Sequence, residues 1–317
     1  MELTYLEAST RALAEEMRRD ASVWALGEDL GRGGVFGQYK GLAEEFGPAR
    51  ICDTPISEAT IMGAAVGAAM VGTRPVVEMR FSDFALCAVD EMVNQAAKAR
   101  FMFGGQAKVP LVVRQPIGMW RSSAAQHSQS LENWYVHVPG LVVIAPATPA
   151  DNRALLKAAI RSDDPVIYME HKDLWALKGD VPEADDAGAI GQARILRPGQ
   201  DLTLVTWSKM VHVALDAAKS AKASIEVIDL RTLWPWDRET VFASARRTGR
   251  LLVVHEAVKA GGFGGEIAAE AAEELGIQVR RLGAPRIPVS YARPLEDEAR
   301  VSAPMIAAAA EAMLKRT

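Results

Sequence analysis

Three places in this chain carry residue types that can do chemistry. The string DTPISE, Asp53 to Glu58, ends on a carboxylate at the expected start of a helix. Free N–H groups at a helix start favour negative charge. Glu58 therefore reads either as an ordinary first-turn carboxylate or as an acid able to share a proton with a ligand. His127 stands beside Ser128 and Gln129 in AAQHSQSLE, in a loop after the strand VVRQPIG. Ligands of open parallel sheets bind beyond the carboxyl ends of strands. That makes His127 a candidate proton donor or acceptor, with a surface loop histidine as the plainer alternative. EMRFSDF, Glu78 to Phe84, brings Phe81 and Phe84 to another strand-to-helix junction. They pack in the core, the usual fate of a phenylalanine, or offer a flat face on which a heteroaromatic ring stacks.

Other chemistries find little support. There is no GxxxxGKS/T phosphate loop, and no GxGxxG that follows a strand and opens a helix. GGFGGE, Gly261 to Glu266, has the wrong glycine spacing for one. HExxH, CxxC and GxSxG are absent, and the five histidines have no metal-ligand spacing. Of these, His137 reads as structural beside a Pro-Gly turn, and His212 shares a helix face with Val211 and Leu215. A net charge of −4 gives no electrostatic footprint for nucleic acid. Cys52 and Cys87 suggest neither a disulfide scaffold nor a metal site, which fits a reducing, cytoplasmic setting. The N-terminus lacks the basic start and apolar block of a signal peptide. The weakly polar run Ala59 to Gly72 is too short to span a bilayer, so no membrane partner is expected.

The elements that must position these residues alternate along the chain. Thr4 with Glu7 is a capping-box signal, followed by Leu6, Leu13 and Met17 at helical spacing. VWALG (Val23 to Gly27) predicts a strand and Ala59–Gly72 a helix. PVVEMRF (Pro75 to Phe81) predicts a strand, and one helix is expected from about Phe84 to Met102, ending near Gly104-Gly105. VPLVVRQP, LVVIAP, a helix Asp151–Arg161 and PVIYMEH complete the first half. These strands are apolar without alternation, the mark of a parallel sheet covered on both faces. The pattern lapses between Gly179 and Gly199, then resumes with DLTLVTW, IEVIDL, RLLVVHEA and VRRLG separated by helical segments. The expected fold is α/β with two domains. Residues 1–180 form the first, 181–192 a linker, and 193–317 the second. Gly63 and Gly67, among alanines, let another backbone approach closely, either within the fold or at a subunit contact.

Taken together, ten strings in one order resemble the β subunits of E1 components of 2-oxo acid dehydrogenases, relatives of transketolase. They include GEDLG (Gly27 to Gly31), DTPISEA, GAAVGAAMVGTRPVVEMRFSDF, AAQHSQSLE, HVPGL, KAAIRSDDPV, IDLRTLWPWD, VVHEAVKAGGFGGEIA and YARPLED (Tyr291 to Asp297). The resemblance implies a pyrimidine-binding first domain, a transketolase-type C-terminal domain and thiamin diphosphate as cofactor. It implies that Glu58 hydrogen-bonds N1′ of the aminopyrimidine, that Phe84 lies beside that ring, and that Glu28 and Ile56 also belong to the cofactor site. His127 matches the histidine near the reacting carbon. Leu111, Ala159, Ile160, Ser162 and Asp164 match positions that hold a monovalent cation such as K⁺ in some members. The reaction implied is oxidative decarboxylation of a 2-oxo acid, pyruvate favoured, with acyl transfer to the lipoyl group of an E2 acyltransferase. Acetoin and branched-chain substrates are the alternatives, and Gln126 before His127 counts against the branched-chain type. The GDG segment and downstream Asn that hold the diphosphate and Mg²⁺ are missing; the only Gly-Asp is Gly179-Asp180. The implied partner is therefore an α subunit that carries them, in an α₂β₂ assembly.

Overall fold

The computed structural model describes residues 1–184 and 186–315. Asp185 of the expected linker, and Arg316 and Thr317 of the expected second domain, lie outside the described residues. The chain divides into two compact units: residues 1–117 with 134–190, and residues 118–133 with 191–317. Each is α/β.

The first unit is built on a parallel sheet. Its strands run in the order Val142–Ile144, Val166–His171, Val112–Ile117, Arg74–Glu78, Val23–Gly27, Ile51–Asp53. Val23, Ala25, Val76, Val112 and Tyr168 pack in one cluster with Leu13 and Met17 of helix Tyr5–Arg19 and with Leu155 and Leu156 of helix Pro149–Arg161. The alternate residues Leu26, Val77, Val113 and Ile167 are buried too, so both sheet faces are covered. Burying each such side chain contributes about 1.5–3 kcal/mol. The capping box forms as expected: Glu7 N–H donates to Thr4 Oγ1 at 3.1 Å and Thr4 N–H to Glu7 Oε2 at 2.8 Å. An unexpected antiparallel pair joins Glu2–Thr4 to Lys178–Asp180.

The single helix expected from Phe84 to Met102 is instead wound four ways. A helical turn Ser82–Ala85 leads to a 3₁₀ turn Leu86–Ala88, a π segment Glu91–Ala96 and an α segment Ala97–Met102. Asp90 accepts from Asn94 and from Gln95 (2.6 and 3.1 Å), and the second of these spans the five-residue reach of a π turn. Past the π segment the helix meets Gly140, where a Cβ would come within 1.9 Å of Ala97 O.

The second unit has a five-stranded sheet in the order Gln278–Ala284, Arg250–Val258, Leu202–Thr206, Ile225–Asp229, Arg194–Arg197. The first four are parallel and the edge strand Arg194–Arg197 is antiparallel. Leu204, Val227 and Leu252 pack with Ala214 of helix Met210–Ser220 and with Ile306 and Met313 of helix Ala303–Leu314. The sequence reading placed residues 118–133 in the first domain; their contacts group them with the second unit. Met119 N–H donates to Glu256 and Ser122 N–H to Glu296, both far along the chain.

Candidate active site

In the first unit the chain runs outward from Val23–Gly27 to the edge strand Ile51–Asp53. It then returns to Arg74–Glu78, on the other side of Val23–Gly27. The strand order reverses there, and in open α/β sheets ligands bind beyond the carboxyl ends of the strands at such a point. Glu28 leaves one of these strands, and Phe81 and Phe84 follow the other. Glu58 starts the helix Glu58–Met70 that follows the edge strand. The loops are tied together: Thr54 N–H donates to Gly27 O at 3.0 Å, and Gly31 N–H to Asp53 Oδ1 at 2.9 Å. A side chain on Gly31 would collide with the Asp53 carboxylate, its Cβ 2.5 Å from Oδ2.

Among the charges here only Glu28 is largely withdrawn from water. Glu58 is half-buried and Glu28 buried. Burial pushes the Glu28 carboxyl up; Arg80, 3.5 Å from Oε2, opposes this, while the charges of Glu58 and Asp29 add to it. Two acidic groups that repel one another favour a ligand that brings a proton or a donor between them. Ser57 makes no side-chain cap, so it offers the first-turn N–H groups no acceptor. Phe84 is half-buried and belongs to an aromatic group. Its ring centroid lies 5.9 Å from that of Phe81, Phe81 lies 6.1 Å from Phe36, and Phe36 lies 4.6 Å from Trp175. Lys172 Nζ sits 4.5 Å from the Phe81 centroid. Ile56 is 76% exposed, an apolar side chain open to an incoming group.

The five residues expected at a cation site sit around the Arg74 and Arg100 side chains. Arg74 Nη1 donates to Ile160 O at 3.1 Å and to Ser162 O at 2.8 Å. Ser162 N–H donates to Ala159 O, Val166 N–H donates to Leu111 O, and Asp164 pairs with Arg100 at 2.6 Å. Positive charge is thus already present. A monovalent cation would share carbonyl lone pairs with a guanidinium.

His127 belongs to the second unit, whereas Glu28, Ile56, Glu58 and Phe84 belong to the first. It is half-buried in a loop closed at its base by Gly118 N–H donating to Gln129 O at 3.2 Å. A pocket of about 550 Å³ is lined by this loop's Met119, Gln126 and Ser128, and by Glu256, Arg286 and Ile287. Ser128 is buried with its hydroxyl unpartnered. Glu132 is buried, accepts from Trp207 Nε1 at 3.0 Å, and has its carboxyl pushed up by burial.

His255 explains two of the glycines of GGFGGE, Gly262 and Gly264. It is wholly buried and stacks on Trp207 at 5.4 Å, and its Nδ1 pairs with Ala257 O. A Cβ on Gly262, Gly264 or Gly283 would come within 2.6, 2.8 or 2.8 Å of the ring. Burial pushes this imidazole down to about 4. As pH falls below about 6.5, the unfolded chain takes up the proton first and the folded state loses stability until about pH 4. The loss attributable to His255 is up to about 3 kcal/mol. Urea midpoints measured between pH 7 and pH 4 are expected to fall less steeply for His255→Gln than for the parent; equal slopes refute the assignment.

Residues 1–177 match the family described as transketolase, pyrimidine binding domain, and residues 191–306 match transketolase, C-terminal domain. The chain is 44% identical to the acetoin:2,6-dichlorophenolindophenol oxidoreductase subunit beta of Cupriavidus necator, over 97% of this chain and 96% of that one. The chain belongs to the family of E1 β subunits. Within that family it is also 43% identical to the 2-oxoisovalerate dehydrogenase subunit beta of Bacillus subtilis, over 93% of both chains. It is 43% identical to the pyruvate dehydrogenase E1 component subunit beta of Rickettsia felis, again over 93% of both. Among solved structures, a split gene transketolase described as an inactive β4 tetramer superposes with a TM-score of 0.83 at 26% identity, covering 98% of each chain. This E1 β subunit is thus a two-domain α/β chain of transketolase type, and it is an oxidoreductase subunit. Its relatives carry three substrate names at nearly one level of identity, so similarity alone does not rank them.

Sequence reasoning assigned no role to Glu78, Glu132, His255, Glu256, Glu296 or Arg300. Several lie within the strings that carry the resemblance. Burial separates Glu78, Glu132, His255, Glu256 and Glu296 from ordinary surface groups, and Arg300 is marked by its bonds to Met119 O and Glu296.

Proposed function

We propose that this E1 β chain supplies half of a thiamin-diphosphate site in an α₂β₂ enzyme that oxidatively decarboxylates a 2-oxo acid, pyruvate in the first place, and passes the acyl group to E2 lipoamide. The observation that carries the reading is Glu58, half-buried at a helix start beside buried Glu28 at the sheet's switch point. These residues fit the cofactor's pyrimidine end: a carboxylate for a ring nitrogen, and an aromatic face beside it. They do not fit its diphosphate. The chain has no GDG segment followed by an Asn to hold diphosphate and Mg²⁺, which supports placing Mg²⁺ on an α subunit.

Bound thiamin diphosphate would supply the electron sink that lets a 2-oxo acid lose CO₂. The chain's own part is orientation and proton handling. Glu58 holds a hydrogen bond at N1′ and moves a proton there. Glu28 keeps the site acidic and dry, Phe84 flanks the ring, and Ile56 covers it. His127 donates or accepts a proton at the substrate oxygen or during acyl transfer. A monovalent cation at the Leu111–Asp164 corner, shared with Arg74, supports structure only. The free cysteines Cys52 and Cys87 fit a reducing cytoplasmic setting. No helix among the described residues is long and apolar enough to cross a membrane.

The test is reconstitution. The chain is mixed with an α chain bearing a GDG segment, thiamin diphosphate and Mg²⁺. Reduction of 2,6-dichlorophenolindophenol is followed with pyruvate, acetoin and 3-methyl-2-oxobutanoate. The fastest turnover is expected with pyruvate, and none without the α chain. Turnover by this chain alone overturns the division of labour. A higher kcat/KM for acetoin shifts the assignment to the acetoin type; Gln126 makes the branched substrate the least favoured.

A further inference from the structure

The loop that carries His127 is held in an uncommon backbone shape. Arg121, Ser122 and Ala124 all have positive φ, at 46°, 57° and 60°. Side chains of these types are strained there and persist only where the surroundings over-determine them. The surroundings are a compact charge cluster within the second unit. Glu296 is fully buried and accepts Ser122 N–H through Oε2 at 2.9 Å. Glu256, also buried, accepts Met119 N–H through Oε1 at 2.7 Å. Arg300 donates to Met119 O and to Glu296 Oε1, each at 2.8 Å, and lies 4.0 Å from Glu256. Lys209, pushed down to about 8 by burial, feels both carboxylates. Charge-assisted bonds of this kind are shorter and stronger than neutral ones, and here they fall on the loop's backbone rather than on its side chains.

We propose that Glu296 and Arg300, acting with Glu256, are positioning residues that set the conformation of the loop presenting His127. The inference rests on the proposed role of His127 for its catalytic half and on the cluster's geometry alone for its structural half. Glu296 Oε2 fixes the one strained residue whose N–H it accepts. Arg300 holds the loop's entry carbonyl and prevents the two carboxylates from repelling each other apart. Neither group needs to touch substrate. Each acts through the backbone between Met119 and Ser122, a few residues before His127.

Two readouts test it on the reconstituted enzyme. Hydrogen exchange of the amides of residues 119–124 is expected to speed up by about tenfold or more in Glu296→Ala. Glu296→Gln keeps an acceptor oxygen and should restore most of the protection; Arg300→Lys gives an independent, milder perturbation should the alanine variant fold poorly. In the same enzymes kcat is expected to fall about tenfold in Glu296→Ala with KM little changed. The same substitution made in a His127→Gln background should add almost nothing, because the two act as one unit. Unaltered loop exchange in both Glu296→Ala and Arg300→Lys overturns the proposal. So does a full additional loss of kcat in the His127→Gln background. If the parent enzyme turns over none of the substrates, the functional reading fails while the exchange measurement still decides the loop.

Discussion

Glu58→Gln is expected to lower the 2-oxo-acid-dependent rate of the reconstituted enzyme by about 10²–10⁴-fold, the range for losing a positioned acid or base. The substitution is nearly isosteric and leaves Glu58's place at the head of helix Glu58–Met70. It removes one charge near a helix N-terminus, so its cost in stability is only about 0.3–1 kcal/mol. Thermal midpoint and association with the α chain should therefore stay close to those of the parent while the rate falls. The charge at position 58 also helps to raise the Glu28 carboxyl. In the variant Glu28 should ionise at a lower pH than in the parent, which side-chain carboxyl NMR can read directly. A variant that keeps a third or more of the parent rate removes Glu58 from the chemistry. One that loses the rate together with its melting transition points to a structural role instead.

The parts of the fold that were legible in the sequence are those set by local rules. The capping box at Thr4 and Glu7 and the apolar runs of the parallel strands needed no distant information. Glu58 could be placed at a helix start and Phe84 at a strand-to-helix junction for the same reason. What was not legible depends on tertiary contact. The winding of Ser82–Met102 through 3₁₀ and π turns has no sequence period, and its course is bound up with the close approach of Gly140 to Ala97. The grouping of residues 118–133 with the second unit depends on bonds to Glu256 and Glu296, which lie 137 and 174 residues from their partners along the chain. GGFGGE has the wrong glycine spacing for a nucleotide loop, and the reason for Gly262 and Gly264 appears only once His255 is seen lying against them. Buried charges such as Glu78 and Arg114 hide within apolar strand strings, where only burial reveals their energetic weight.

Arg114 carries the largest stability prediction. Its side chain is 1% exposed and lies between two buried carboxylates. Nη2 and Nε reach Glu170 Oε2 at 2.6 and 3.0 Å, Nη2 also reaches Ser9 Oγ at 3.1 Å, and Nη1 lies 3.5 Å from Glu78 Oε2. Glu78 is paired with Arg114 across the strands and accepts from Tyr39 OH at 2.9 Å, yet burial still pushes its carboxyl up to about 7. Arg114→Met leaves both carboxylates buried without their counter-charge, and breaking such a group costs about 3–5 kcal/mol. The pH dependence has a definite sign. A carboxyl whose folded pKa is raised keeps its proton in the folded chain after the unfolded chain has lost it. The parent's stability from Glu78 therefore declines as pH rises from about 4.5 to about 7. Without the guanidinium the folded pKa rises further, and the decline continues above 7. The deficit of Arg114→Met relative to the parent should be smallest near pH 5 and grow through pH 8, as read by urea denaturation. Adding Glu78→Gln should recover part of it at pH 8, because one of the stranded charges is then gone. Glu78 also accepts from Gln38 Nε2, whose amide oxygen takes Phe36 N–H, and Phe36 packs against Phe81 and Trp175. Loss of Arg114 should thus loosen the aromatic group beside Phe84 before the unit unfolds, visible as a tryptophan fluorescence change from Trp175 that precedes the main urea transition. A deficit independent of pH, or one below about 1 kcal/mol at pH 8, contradicts the assignment of Arg114 as the counter-charge of this core.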